Sequence, residues 1–243
     1  MCLSGDDIEI MKISASLVVV LCCVAIAAAQ ERTIDKTEFD ALVASGNNHS
    51  LRWKDEKYRI TVSTSSKATG RPQHDWVSKF FVERVPTKES RTVTSSSFGG
   101  KVSPTQESIV VGKWIYTHLG TDPWSRKESK PSGGRAETPE SIQEMIGSTA
   151  EYRYLGKENL AGRATDIYQK TEHQTKVNKK NGESVESDVK STYWFGEDGA
   201  LLKNEYRSES RSATLTSQTL IIMEWEIDPS IVITEPVLAP AKP

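Results

Sequence analysis

Cysteine is the first thing this chain has little of. All three of its cysteines fall before residue 24, so nothing beyond that point forms a disulfide framework, a thiolate nucleophile or a cysteine metal site. A long basic run is missing too. There are 31 Lys and Arg against 33 Asp and Glu, and removal of residues 1–29, argued below, takes Lys12 with Asp6, Asp7 and Glu9 and leaves the two signs equal. Nucleic-acid binding draws much of its affinity from phosphate neutralisation, so no nucleic-acid partner is expected of a neutral chain. Paired histidines are also lacking. His49, His74, His118 and His173 each stand alone without metal-ligand spacing, and they read as solvated side chains. His74 beside Asp75 comes nearest to an oriented base, but no G-x-S-x-G elbow accompanies it. The glycine pairs at 99–100 and 133–134 carry no phosphate-binding pattern and read as turns. No catalytic residue, metal or cofactor is therefore assigned.

What is present begins with an address. Met11 and Lys12 precede an apolar run over 17–29, and polarity returns at Gln30, Glu31 and Arg32. A positive start, a short apolar stretch and the small Ala27 and Ala29 at positions −3 and −1 make residues 1–29 a secretory signal peptide. The acids in residues 1–10 have the wrong sign for such a start, which places initiation at Met11. Residues 13–29 fall short of the roughly 20 apolar residues that span a bilayer. Lipidation at Cys22 or Cys23 is disfavoured by the bulk of Leu21 or Cys22 before it. The expectation is a periplasmic or secreted monomer with peripheral membrane contact at most. Asn48, His49 and Ser50 match an N-glycosylation acceptor, which matters only in a eukaryotic source.

One domain is expected over 30–235, with a disordered Pro/Ala tail over 236–243. Residues 30–46 read as a helix: Asp35 and Glu38 supply a cap and box, Phe39, Leu42 and Val43 make one stripe, and Gly46 ends it. Beyond residue 51 the period changes to two. Strands are expected at 59–62, 76–82 and 91–94, with a loop over 63–75, and Gly112-Lys113 makes a tight hairpin between 109–111 and 114–116. A second helix is expected over 139–148, where Thr138 caps, Pro139 takes the first turn, and Ile142, Met145 and Ile146 share a face. Strands resume at 152–155, turn at 157–159, and continue over 165–170. A polar excursion over 171–190 carries Asn181-Gly182; a two-residue loop there sets Tyr168 opposite Phe195 and Lys170 opposite Tyr193, and puts Tyr168, Tyr193 and Phe195 on one face. In the last strand Ile221, Met223, Trp225 and Ile227 point one way. The fold class is mainly β (α+β): a single antiparallel sheet, covered on one side by two helices.

Aromatics are the main chemical resource. If the helix over 139–148 fills the hollow of the sheet, burial of Ile142, Met145 and Ile146 contributes on the order of 4 to 9 kcal/mol. A long acyl chain gains roughly 10 kcal/mol at about 0.8 per methylene, so helix and lipid compete for the same space. The expected ligand wall is Trp114, Tyr116, Tyr168, Trp194 and Trp225, although strand alternation turns only some of these inward.

Several phrases then fit together. The segment 86–91 ends a Pro-x-x-(aromatic)-Arg strand opening at Arg91, with Ser90 in the aromatic place. Residues 109–116 with Asp122, Pro123 and Trp124 resemble an I-x-I-G-x-x-x-Y … G-P-W hairpin. Residues 152–168 look like Y-L-G-x-E-x-x-x-G-x-x-x-x-x-Y, and 193–203 like W-x-D-x-x-G-L-x-x-K. With the signal peptide and the order of elements, these resemble the periplasmic lipoprotein-carrier superfamily of LolA-like and LppX-like proteins. The resemblance implies a single curved sheet forming an unclosed half-barrel, with two helices on its concave face and a hollow that takes a lipid or lipoprotein acyl chain. It implies transport towards the outer membrane, a lid held in part by Arg91, and lipid or an acylated protein as partner. The alternative it carries is an envelope sensor that recognises a protein through 171–190.

Overall fold

The computed structural model describes residues 31–48, 53–87, 89–129, 143–179 and 182–239. The signal segment with Met11, Cys22 and Cys23, the His49-Ser50 part of the glycosylation acceptor, Ile142 and the rest of 130–142, Asn181 and the end of the tail lie outside the described residues.

The chain opens with a two-residue strand, β1 (Arg32–Thr33), and a helix, α1 (Lys36–Gly46). Asp35 caps α1 by accepting the Glu38 N–H at 2.8 Å, as the cap pattern predicts. The box does not close, because the Glu38 carboxylate accepts from Arg32 at 2.9 Å instead. Two meanders follow. The first is β2 (Tyr58–Ala68), β3 (Trp76–Arg84), β4 (Ser90–Phe98), β5 (Lys101–Val102), β6 (Gln106–Val111), β7 (Trp114–Leu119) and β8 (Ser125–Glu128). The second is β9 (Gln143–Leu160), β10 (Arg163–Asn178), β11 (Ser184–Gly196), β12 (Leu201–Ser212) and β13 (Thr216–Ile227). All pairs are antiparallel. The last strand, β13, pairs with β2 along the whole of β2, from Ser217 opposite Ala68 to Ile227 opposite Tyr58, and this seam joins the meanders into one sheet of order β1-β9-β10-β11-β12-β13-β2-β3-β4-β6-β7-β8. Its end strands do not pair with each other among the described residues, so the sheet is not closed into a barrel.

Several expectations are corrected. Among the described residues there is one helix, not two. Residues 143–148 open β9, where they pair with β10, and Met145 and Ile146 lie exposed at 52% and 62%. The Ser148-Thr149 pair favours extended backbone, and a bulge between Thr175 and Lys176 absorbs the extra residue on β9, so the apparent helical stripe is accommodated in a strand. The loop expected over 63–75 is half strand, because β2 runs to Ala68 through a Ser/Thr stretch that lacks apolar alternation. The turn expected at 157–159 lies at Ala161 and Gly162, with φ of 50° and 86°. In the β10–β11 hairpin Tyr168 faces Tyr193, and Lys170 faces Ser191. The loop is longer than two residues: Asn178 N–H donates to Glu183 O at 2.9 Å and Gly182 N–H to Asn178 O at 2.8 Å. A slip of two residues preserves the faces. Tyr168, Tyr193 and Phe195 therefore do share one, with Tyr168 and Phe195 rings 5.7 Å apart.

Helix α1 sits on that aromatic patch. The Phe39 ring lies 5.0 Å from Tyr152 and 5.3 Å from Tyr193, with Ile34 buried alongside. Gly46 lets the helix end approach the sheet, because a Cβ there meets the Phe195 ring and the Leu201 side chain. Trp53 closes the next stretch by packing on Tyr58, Ala200 and Leu202. Gly46→Ala should cost about 1–3 kcal/mol through overpacking against Phe195. Urea unfolding is the measurement, and a variant as stable as the parent contradicts this seating of the helix.

Candidate ligand-binding trough

Register assigns every side chain to one of two faces. The face under α1 holds Tyr168, Tyr193, Asn204, Met223, Val62, Phe80 and Thr94 in one row across seven strands. The next row is Lys170, Ser191, Tyr206, Ile221, Thr64, Ser78 and Ser96. A third holds Glu172, Val189, Ser208, Thr219, Ser66 and Trp76, and a fourth Gln174, Ser187, Ser210 and Ser217.

Burial separates the faces. In the two middle rows, every side chain named from β10 to β2 is buried or half-buried, Ser191 and Val189 fully so, although α1 and Trp53 reach only the Tyr193 and Tyr58 end. On the opposite face of the same strands Lys67, Thr171, His173, Asp188, Lys190, Arg207, Arg211 and Gln218 are exposed. Ser65, Glu209 and Leu220 on that opposite face are half-buried. The more buried face, which carries α1, is taken as the concave side; among the described residues α1 and Trp53 leave its middle and far rows uncovered, and its chemistry grades along the strands. Towards Trp53 it is apolar: Tyr58, Ile60, Trp225 and Leu202. In the middle Val62, Phe80, Ile221 and Met223 alternate with hydroxyls, and at the far end Ser187 and Ser210 bond to each other at 2.8 Å.

One charged pair lies within it. Lys170 Nζ meets Glu172 at 2.5 Å, and the same carboxylate accepts from Ser148 Oγ at 2.6 Å. Burial works against the Glu172 charge, but the hydrogen bonds from Lys170, Ser148 and Gln174 outweigh it and hold the pKa below the ordinary carboxylate range. At the helix end, burial first, and then the 2.8 Å hydrogen bond that Tyr154 donates to Asp166, push the Tyr154 phenol up to about 12. Burial raises Tyr168 and Tyr193 as well.

The residues expected in the ligand wall divide between the faces. Tyr168 and Trp225 are on the concave side, Tyr168 within the aromatic patch and Trp225 against the Trp53 cluster. Trp194 is on the convex side, where its indole N–H donates to Glu158 and Lys203 Nζ lies 4.7 Å above the ring. Trp114 and Tyr116 share that convex side on β7; Arg126 stacks 4.3 Å from the Trp114 ring, and Tyr116 is 1% exposed. Met145 and Ile146 form no lid, and Ile142 lies outside the described residues. Arg91 also faces the convex side, where it bonds Glu107 at 2.6 Å and Glu83 at 3.5 Å, while Arg59 holds Glu83 and Asp228. In the segment after β13 Ile231 is buried, and Glu235 and Arg126 each come within electrostatic reach of Tyr116. The convex face also bears an open cleft of about 480 Å³, but charged side chains such as Lys67, Asp188, Lys190, Arg207 and Glu209 line much of it.

Of the histidines, His118 stacks on Trp124 at 5.1 Å, His173 bonds Asp188 at 2.9 Å, and His74 is exposed. Among the described residues no three His, Cys, Asp or Glu cluster to hold a metal, and no helix is long and apolar enough to cross a membrane. The trough-lining Val62, Phe80, Val189, Tyr206 and the serine rows were missed at the sequence level. Alternate-position Ser and Thr in strand-length runs was the signal available for them.

Glu172 is charged more readily in the folded chain than in the unfolded one. Its stabilisation is therefore complete above the unfolded value of about 4.3 and is lost as pH falls through the lower folded value. The Tm advantage of the parent over Glu172→Gln should stand at neutral pH and shrink steadily below about pH 4. A pH-independent gap in differential scanning fluorimetry rules out this ion pair as its source.

No family model and no curated protein matches the chain. Solved structures do. A LolA superfamily protein from Nitrosomonas europaea is similar at 12% identity and a TM-score of 0.27, over 81% of this chain and 97% of that one. A domain assigned to outer membrane lipoprotein sorting from Vibrio parahaemolyticus is similar at 10% identity and a TM-score of 0.27, over 79% of this chain and 93% of that one.

Proposed function

We propose that this chain is an exported, non-enzymatic binding protein for an amphiphile, held in the concave trough with its apolar chain towards Val62, Phe80, Ile221 and Met223. The observation that carries this reading is that rows of this face which α1 leaves uncovered among the described residues are nonetheless buried or half-buried. Half-buried apolar side chains in such a place lose little by accepting a guest, and a guest chain gains up to about 0.8 kcal/mol per methylene removed from water. The hydroxyl-rich far end suits an uncharged or zwitterionic headgroup, since the one charged pair among the rows above, Lys170 with Glu172, is already mutually neutralised. The place differs from the expectation that a detachable helix over 139–148 holds the ligand. The ligand class is the same: a lipid, or the acyl chain of a modified protein. A periplasmic location and a passage towards the outer membrane belong to this proposal.

A fluorescent fatty acid and a fluorescent lysophospholipid test it by titration. Uptake is expected, and Ile221→Lys should weaken it about tenfold, the equivalent of about 1.4 kcal/mol. Leu220→Lys, one residue along and on the convex face, should leave it unchanged. Absence of uptake, or equal loss in the two variants, defeats the proposal.

A further inference from the structure

The sheet has two outer edges, and they are built differently. Strand β8 is four residues long, exposed, and carries Arg126, Lys127 and Glu128. Short length and charge are the usual means of blunting an edge. Strand β9 is eighteen residues long, and β1 pairs only with its Arg153 and Tyr154, after which Ile34 N–H donates to Tyr152 O at 3.0 Å and the chain departs into α1. Residues 144–151 therefore have β10 on one side and, among the described residues, no strand on the other. All eight are exposed, including the apolar Met145 and Ile146. The run contains no Lys, Arg or Pro, and its charges are Glu144 and Glu151, one at each end. One bulge, between Thr175 and Lys176 of β10, is its sole blunting device.

We propose that this edge is a docking site for an extended segment of a partner protein, added antiparallel to β9 and carrying a basic residue near each end. The direction follows from β1, which already occupies the neighbouring stretch of the same edge antiparallel to β9. The length is set by the eight open residues, about 26 Å at 3.3 Å per residue. The charge follows from Glu144 and from Glu151, whose exposed ion pair with Arg153 at 3.3 Å a partner's cation would have to share. A second copy of this chain fits less well, because antiparallel pairing of two such edges brings the acidic ends together. Main-chain hydrogen bonds supply affinity in strand addition, and the flanking charges select the partner. The edge uses main-chain groups of β9, and its one side-chain link to the trough is the Ser148 bond to Glu172 at 2.6 Å.

The probe is a labelled ten-residue peptide of alternating valine and threonine with lysine at both ends, titrated by fluorescence anisotropy against the full chain. Binding is expected, with slowed amide exchange over 144–151. The double variant Glu144→Lys with Glu151→Lys, exposed at both positions, should weaken it about tenfold and gain binding of the same peptide ended in glutamate. Fatty-acid uptake in that variant should match the parent. No binding of the lysine-ended peptide, or binding unmoved by the charge exchange, overturns the proposal. So does concentration-dependent dimerisation of the peptide-free chain that the double variant abolishes, which assigns the edge to a second copy.

Discussion

Among the described residues one α-helix of eleven residues faces a sheet of twelve consecutive strands, and that mismatch of areas governs this part of the molecule. A sheet face left uncovered must be polar, must meet a partner, or must fold over on itself to limit its contact with water. Composition meets part of this demand, because serines and threonines tolerate partial contact with water where leucines would not. The aromatic cluster under α1 and the Trp53 cluster hold one end of the curve shut, and the hydroxyl rows keep the other end soluble without filling it.

The convex face has a different solution. Its apolar side chains on β6 and β7, Ile109 and Tyr116, are buried, with Glu235 from the segment after β13 close to Tyr116, and the buried Glu83 is matched by Arg59 and Arg91, whose guanidinium groups also lie over the Phe81 ring. Breaking one partner of so buried a carboxylate leaves an uncompensated charge. The row thus ties β2, β3, β4 and β6 together across four strands by charge, where the trough side ties them by packing.

Much of the fold was legible where a side chain announced its own geometry. The Asp35 cap, the Gly112 turn with φ of 55°, and the alternation of Ile221, Met223, Trp225 and Ile227 all lie where local chemistry puts them. The helix expected over 139–148 is overturned at 143–148, where spacing such as that of Met145 and Ile146 fits helix and bulged strand alike and pairing with β10 decides between them. The long hydroxyl-rich portions of β2 and β10 were invisible to apolar periodicity, since their strand character comes from neighbours and not from their own hydrophobicity. The residues expected in a ligand wall fall on both faces of the sheet. Tryptophans marked the wall at the sequence level, yet Trp114 and Trp194 face the convex side, and smaller residues line the trough.

The seam between β2 and β13 has a temporal meaning. The two strands that meet there are the first and last long strands of the chain, about 150 residues apart, so the central hydrogen-bond ladder is the one whose closure demands the largest sacrifice of chain entropy. Each meander can zip through neighbour-to-neighbour turns soon after it is made, but the two are joined only when synthesis has delivered β13. Until then two half-sheets coexist with raw central borders, which makes the interval before joining the period in which the chain is most exposed to misassembly.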